Sequence, residues 1–287
     1  MKKKTIIRLS ITLIVIAALA LWINSRWSAW FHNEAELPYA PQSEPGRVLL
    51  TFGDENELSR NISWQYDSIV VPSHVELVDT LSKDTIQIDA QGEIFQSRSG
   101  KAAYYVAKLR TLQPDRYYTY RVCNEGKTSS WYSFRTYNQS TRNDYSFMYV
   151  GDLTERPTEQ RWEETYRGLD SIGQQYPVIT VTGNHEYLKY IIRKLERRFS
   201  LVFSYYLDSM VGENQVYTLK YNDMQIFCLD SNREFFYLWT QKKWLEEQLK
   251  KSNARWKIVV LHHPLYSIKG SMNNLFQRTM FNPRVEK

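Results

Sequence analysis

Residues 178–182 read Val-Ile-Thr-Val-Thr and run directly into Gly183-Asn184-His185-Glu186. Five consecutive β-branched side chains disfavour helix and fit a pleated strand. With no charge in the run, the strand is expected to be buried, which calls for a layered α/β environment. Gly183 permits a sharp turn at the strand end. An amide, an imidazole and a carboxylate then leave that end together, a set suited to metal binding and proton transfer.

Two more strand ends carry chemistry of the same kind. Ser146–Val150 is an apolar run that ends in Gly151-Asp152, and Trp256–Leu261 is a buried run that ends in His262-His263-Pro264. Between them, Trp162, Tyr166, Leu169 and Ile172 recur at helical spacing over 158–172. The basic stretch 188–203 reads as helical, its run Lys189–Arg198 as a solvated face. Val216–Lys220 and Gln225–Leu229 flank a hairpin turn at Tyr221–Met224. Thr240 is placed to cap a helix over Gln241–Lys251. Alternation of strands and helices with chemistry at strand ends is the pattern of an α/β layered domain. Asp152, Asn184 and His262 are the candidate metal ligands, an O/N set that suits Zn, Mn or ferrous Fe. Asp230, also at a strand end, reads as a capping or loop residue.

The preceding part of the chain has a different grammar. Val48–Phe52, Asn61–Tyr66, Val75–Val78, Ala102–Lys108, Tyr117–Val122 and Trp131–Thr136 are short runs separated by Gly-, Asn-, Asp- and Ser-containing turns. About seven short strands without helical periodicity predict an all-β sandwich. His74 is the one histidine in this part and reads as a structural residue. Cys123 and Cys228 fall in separate strands and are expected as two buried thiols.

Composition decides the setting. The net charge is +6, yet Lys2, Lys3, Lys4, Arg8 and Arg26 supply five of those positives with no acid among residues 1–26. The remainder is nearly neutral, which excludes a nucleic-acid footprint. The five positives bracket the apolar run Leu9–Ile23. A basic start before an apolar run directs export, with the cationic end left in the cytoplasm. Thr5–Ile7 lengthens the run towards the roughly 20 residues of a full span, and Trp22, Trp27, Trp30 and Phe31 form an aromatic belt at its end. Two readings stay open: an uncleaved anchor that contacts the membrane through residues 5–23, or a signal peptide removed on secretion. The expected organisation is a membrane segment at 1–31, a linker at 32–46, a β-sandwich at 47–137 and an α/β domain at 145–287.

Gly151-Asp152, Gly183-Asn184-His185-Glu186 and Val259-Val260-Leu261-His262, in that order, resemble the motifs of the calcineurin-like metallophosphoesterases. Leu112–Val122 resembles a Leu-x-Pro-x-x-x-Tyr-x-Tyr-x-Val stretch of fibronectin type III-like modules, where a tyrosine packs the strand corner. A module of that kind in front is similar to the purple acid phosphatase branch. The resemblance implies a divalent-metal site, dinuclear in intact relatives. Asp152 would be the bridging carboxylate, Asn184 and His262 ligands, and His185 a catalytic residue that binds phosphate and protonates the leaving group. It implies small-molecule phosphate esters or phosphoproteins as substrates. The family pattern also has a second strand–Gly-Asp motif and a late Gly-His-x-His. The chain is read as carrying one strand–Gly-Asp motif, Gly151-Asp152, and the five histidines leave none for Gly-His-x-His, so this domain is expected to be incomplete and C-terminally truncated. Where purple enzymes place a tyrosine three residues after the bridging Asp, this chain has Glu155. Two functions follow: a tethered, exported phosphoester hydrolase, or a catalytically impaired remnant of one.

Overall fold

The computed structural model of the chain describes residues 3–33, 35–53, 57–110, 112–138, 146–148, 156–190, 192–204, 215–266 and 274–285. It opens with helix α1 (Lys3–Phe31), whose side chains are exposed almost throughout. The stretch Lys4–Ser28 contains an 18-residue window of mean hydropathy 2.5 and is long and apolar enough to cross a membrane. Its exposure sets it apart from the buried core helix of a soluble domain.

Eight strands follow: β1 (Gly46–Phe52), β2 (Arg60–Gln65), β3 (Ser73–Asp79), β4 (Thr85–Gln96), β5 (Lys101–Leu109), β6 (Tyr117–Asn124), β7 (Lys127–Thr128) and β8 (Tyr132–Arg135). All their pairings are antiparallel. Strand β4 is the joint of this β-rich domain. Its first half, Thr85–Asp89, pairs with β3, and its second half, Ala90–Gln96, pairs with β5. The chain thereby folds two groups of strands over one core that includes Leu50, Ile62, Trp64, Val75, Tyr105, Tyr120 and Val122. Alternation along each strand sends these residues inward and their neighbours outward. The Tyr118 hydroxyl accepts the Gln113 N–H at 2.9 Å, closing the corner before β6. Sequence reading passed over β4, which is exposed or half-exposed along its whole length and so carries little apolar signal.

The second half begins with α2 (Glu159–Leu169) and the short α3 (Ile172–Gln175). The expected single helix over 158–172 is broken at Asp170, whose φ of 39° leaves the helical region. A two-stranded pair, β9 (Tyr187–Leu188) and β10 (Lys194–Leu195), precedes α4 (Arg197–Val202). The expected helix over 188–203 is therefore limited to its last residues. The hairpin β11 (Tyr217–Tyr221) and β12 (Met224–Cys228) turns at Asn222, which takes the left-handed φ of 58° that asparagine tolerates. Helix α5 (Phe235–Lys251) starts six residues before the expected Gln241, so Thr240 lies inside it and donates its hydroxyl to the Phe236 carbonyl at 2.8 Å. Strand β13 (Trp256–Val260) runs parallel to β12, and α6 (Leu275–Val285) ends the described chain.

Strands β11 and β12 are covered on both faces. On one side, Tyr217, Leu219, Ile226 and Cys228 join Trp162, Phe199 and Phe203 and reach Leu49, Phe52 and Tyr104 of the β-rich domain. On the other, Val216, Phe227 and Leu229 meet Leu238, Leu245 and Phe281. Both cysteines are buried free thiols, as expected.

The expected strand at Val178–Thr182 is the main departure. Among the described residues it makes one parallel bridge, Val178 to Thr51 of β1, with the Val178 N–H donating to the Leu50 carbonyl at 2.9 Å. Its anchors beyond that are side chains: the Tyr217 hydroxyl donates to the Thr180 carbonyl at 2.6 Å and Asn232 Nδ2 to the Thr182 carbonyl at 2.7 Å. Strand propensity alone supplies no neighbour, and the expected upstream strand is not formed at Ser146–Met148. The segment takes the free edge of β1 instead.

A buried ion cluster locks this arrangement. Arg198, fully buried, contacts Glu36 at 3.2 Å, Glu159 at 3.1 Å and Glu196 at 3.3 Å. Glu36 also meets Arg98 at 3.1 Å and accepts the Glu159 backbone N–H at 3.0 Å, at the start of α2. Arg47 closes the cluster against Glu159 and Glu163. The basic stretch read as a solvated face thus contains a buried cation, because Glu36 and Glu159 from distant segments converge on it together with Glu196 two residues away.

Burial pushes Glu196 up to about 7, with Arg198 opposing and Glu36 adding to the effect. A carboxyl raised in the folded state stabilises the fold while protonated. That contribution is complete below the unfolded value of 4.5 and is lost as pH rises through about 7. Glu196→Gln, neutral at every pH, should flatten the decline in stability between about pH 5 and pH 8 and exceed the parent at pH 8. Unfolding midpoints measured across that range check it.

Candidate functional site

The site lies where the Val178–Thr182 segment ends beside the end of β13. The turn Asn184–Glu186 is a single 3-10 turn. Glu186 folds its carboxylate back to accept the Gly183 N–H at 2.6 Å, which fixes the turn. The position of a Cβ on Gly183 would lie 2.6 Å from that carboxylate oxygen and 3.3 Å from His262 Nδ1. Glycine is needed here for close approach, so that the turn can rest against the imidazole.

Of the residues singled out from sequence, the structure brings Asn184 and His262 together. Asn184 Oδ1 lies 2.7 Å from His262 Nε2, although they are 78 residues apart in the chain. His185 is exposed on the same turn, adjacent to Asn184. Asp152 and Glu155 lie outside the described residues. An amide oxygen and an imidazole nitrogen at this separation can share one divalent ion, since bonds of about 2.0–2.2 Å put neighbouring ligand atoms roughly 3 Å apart. The two donors fit as a pair of ligands. A two-metal clamp needs more of them.

His263 is held differently from His262. Its Nδ1 lies 2.9 Å from Ser231 Oγ, and its backbone N–H donates to the same hydroxyl at 3.1 Å. Burial, with His262 and Arg193 nearby, lowers its pKa to about 4, so it is a neutral imidazole that braces the strand end. The two rings meet edge to face with centroids 5.0 Å apart.

Asp230 is the residue that sequence reasoning undervalued. It lies in the loop after β12, as expected, but is fully buried there. The Tyr187 hydroxyl donates to its carboxylate, as does the Asn232 N–H at 3.1 Å. Gln241 pairs with its backbone in both directions, at 3.1 and 2.9 Å. Burial raises its pKa, and the hydrogen bonds from Tyr187, Thr182 and Asn232 pull the other way. Asp230 thereby ties the end of β12 to the residue that follows the site turn. Its position after an apolar strand was the available signal, and its partners lie too far along the chain to be read. A second Gly-Asp pair, Gly53-Asp54, was also passed over. It follows β1 and leads into β2, with Asp54 outside the described residues.

The linker after α1 reaches the same region. Asn33 Nδ2 donates to the Lys189 carbonyl at 3.1 Å and the Lys189 N–H donates to Asn33 Oδ1 at 2.7 Å. Lys189 is four residues from His185, so the end of α1 is held within about 15 Å of contour from the site turn.

Residues 126–283 match the family described as calcineurin-like phosphoesterase, and residues 45–136 match the purple acid phosphatase N-terminal domain. A solved structure of PhoD is similar over 82% of this chain, with a TM-score of 0.51 at 11% identity, a likeness of fold. The chain spans 64% of that structure's length. A structure of astrotactin-2, described as a vertebrate-specific, perforin-like membrane protein, covers 36% of this chain and 24% of its own at 12% identity and a TM-score of 0.26. No curated protein matches the chain.

Gly183→Ala should displace either the Glu186 carboxylate or the His262 ring. The expected cost is about 1–3 kcal/mol, measured by denaturant unfolding, with weaker metal retention measured by elemental analysis. Unchanged stability and metal content would show that the turn does not rest on the imidazole.

Proposed function

The chain belongs to the calcineurin-like phosphoesterase family, and from that membership we propose that it is a metal-dependent phosphoester hydrolase, exported and held at the membrane by α1. The observation that carries this reading is the 2.7 Å approach of Asn184 Oδ1 to His262 Nε2, just past the Val178–Thr182 segment and β13. Family membership implies divalent metal ions. Asn184 and His262 would hold one, with Asp152 as the third ligand. When bound, the metal would polarise a phosphoryl oxygen and acidify a coordinated water.

The protein's own groups do the rest. His185, exposed beside Asn184, would hydrogen-bond a phosphoryl oxygen and give a proton to the departing alkoxide, the part of a general acid. Glu186 orients the turn through Gly183 rather than touching substrate. Ser231 and His263 hold the end of β13 so that His262 faces Asn184. The substrate class is phosphate monoesters or diesters, small or protein-borne.

We further read residues 47–137 as a fibronectin type III-like sandwich, a reading favoured by β4 passing from one group of strands to the other and by the Tyr118 corner. Residues 145–287 form the phosphoesterase domain, residues 1–31 the membrane segment and residues 32–46 the linker. The Asn33–Lys189 bonds favour an uncleaved α1, since they give the segment after it a docking place beside the site.

A second reading has its own support. Among the described residues the Val178–Thr182 segment makes one bridge, and Asn184 and His262 are the two candidate ligands brought together. A catalytically impaired member that binds one ion would look the same. Hydrolysis of an aryl phosphate by the full chain in detergent, with Mn, Zn or Fe added, separates the two. The hydrolase reading expects turnover that falls at least about 100-fold in His185→Ala and disappears in His262→Ala and Asp152→Ala. No turnover with any of the three metals would leave the impaired reading.

A further inference from the structure

A second cluster of metal-ligating groups is built into the β-rich domain, and it does not depend on the strand-end chemistry. Strands β3 and β6 are antiparallel neighbours, with His74 opposite Cys123 and Glu76 opposite Arg121. Val75, Leu77, Tyr120 and Val122 point into the core, so His74, Glu76, Arg121 and Cys123 share the other face of the sheet. There the imidazole, the carboxylate and the thiol offer ligand atoms that all lie within 4.8 Å of one another.

Three details make this more than a chance meeting of polar groups. His74 Nε2 is shielded from solvent and has no hydrogen-bond partner, a state that costs free energy unless something occupies the position. It lies 3.9 Å from Glu76 Oε1, close to the edge of about 3–4 Å that bonds of 2.0–2.3 Å give in a tetrahedral zinc site. The other oxygen of Glu76 accepts the Arg121 Nε–H at 2.6 Å, and Arg121 lies over the Trp131 ring at 4.7 Å. That bracing fixes the carboxylate with Oε1 turned to His74, as outer groups do around metal sites. The sequence reading of His74 as a structural histidine left this arrangement out, because Cys123 is 49 residues away.

We propose that His74, Glu76 and Cys123 bind a zinc ion, with water or Asp89 as the fourth ligand. Asp89 stands directly opposite His74 on β4 and shares its face. Thiolate, imidazole and carboxylate together suit zinc, and thiolate selects against magnesium, calcium and manganese. Binding forms a Zn–S bond and releases the Cys123 proton to solvent. The ion would cross-link β3 and β6 on the outer face of the domain.

Cobalt substitution tests this in the full chain in detergent, stripped of metal and kept reduced. Added Co(II) should give a thiolate-to-cobalt charge-transfer band in the near ultraviolet that zinc displaces. The band should persist in His262→Ala, which removes the strand-end imidazole, and vanish in Cys123→Ser. His74→Asn, at a partly exposed position, should keep the fold by circular dichroism and weaken zinc binding about 10-fold or more. Absence of a thiolate band in the folded parent protein, or a band that survives Cys123→Ser, would overturn the proposal.

Discussion

The buried guanidinium of Arg198 is the constraint on which the rest of the structure depends. It contacts three carboxylates from three places: Glu36 in the segment after α1, Glu159 at the start of α2 and Glu196 beside α4. Arg98 and Arg47 bring in β-rich-domain residues on either side. Taking so many charges out of water is expensive, and a single pair would return little. A shared cluster leaves few alternatives, because any other docking of these segments would strand a buried charge. The surrounding apolar contacts, Leu49, Phe52 and Tyr104 against Trp162, Phe199 and Phe203, supply the attraction between the two halves. The ions select which of many apolar dockings is adopted.

That docking determines where the chemistry sits. With α2 and α4 clamped against the β-rich domain, the Val178–Thr182 segment comes to lie along β1 and is held by the Val178–Thr51 bridge and by side chains from β11 and the Asp230 loop. Asp230 and its partners Tyr187, Asn232 and Gln241 then bind the site turn to the three-stranded sheet. Gly183 is left resting against His262, and Asn184 meets the same ring from the other side of its contact. The two candidate ligands are thus placed by a chain of buried polar contacts, most of them outside the site itself.

How much of this was legible in the sequence follows from the range of the interactions involved. Strands such as β2, β3 and β6 were readable because alternation against one core is a local pattern. The hairpin at Asn222 was readable because its turn chemistry is local too. Strand β4 was not, since its residues are exposed or half-exposed. The segment 188–203 reads as helix by composition, yet Tyr187–Leu188 pairs with Lys194–Leu195, and Arg198 is buried by carboxylates up to 162 residues away. Val178–Thr182 has the composition of a buried strand, yet among the described residues its one bridge is to Thr51 of β1. Of the site, Asn184, His185 and His262 were legible as family motifs at strand ends. Their mutual distance, and the part played by Asp230, depend on packing that no local pattern encodes.

The central claim is that Asn184 and His262 hold a divalent cation at this strand end. Pulsed electron paramagnetic resonance of Mn(II) added to the full chain tests it directly, because a coordinated imidazole couples its nitrogen to the manganese spin. The account predicts one such nitrogen coupling, present in the parent protein and in Cys123→Ser and absent in His262→Ala. Bound manganese that shows no nitrogen coupling, or the same coupling after His262→Ala, would contradict it.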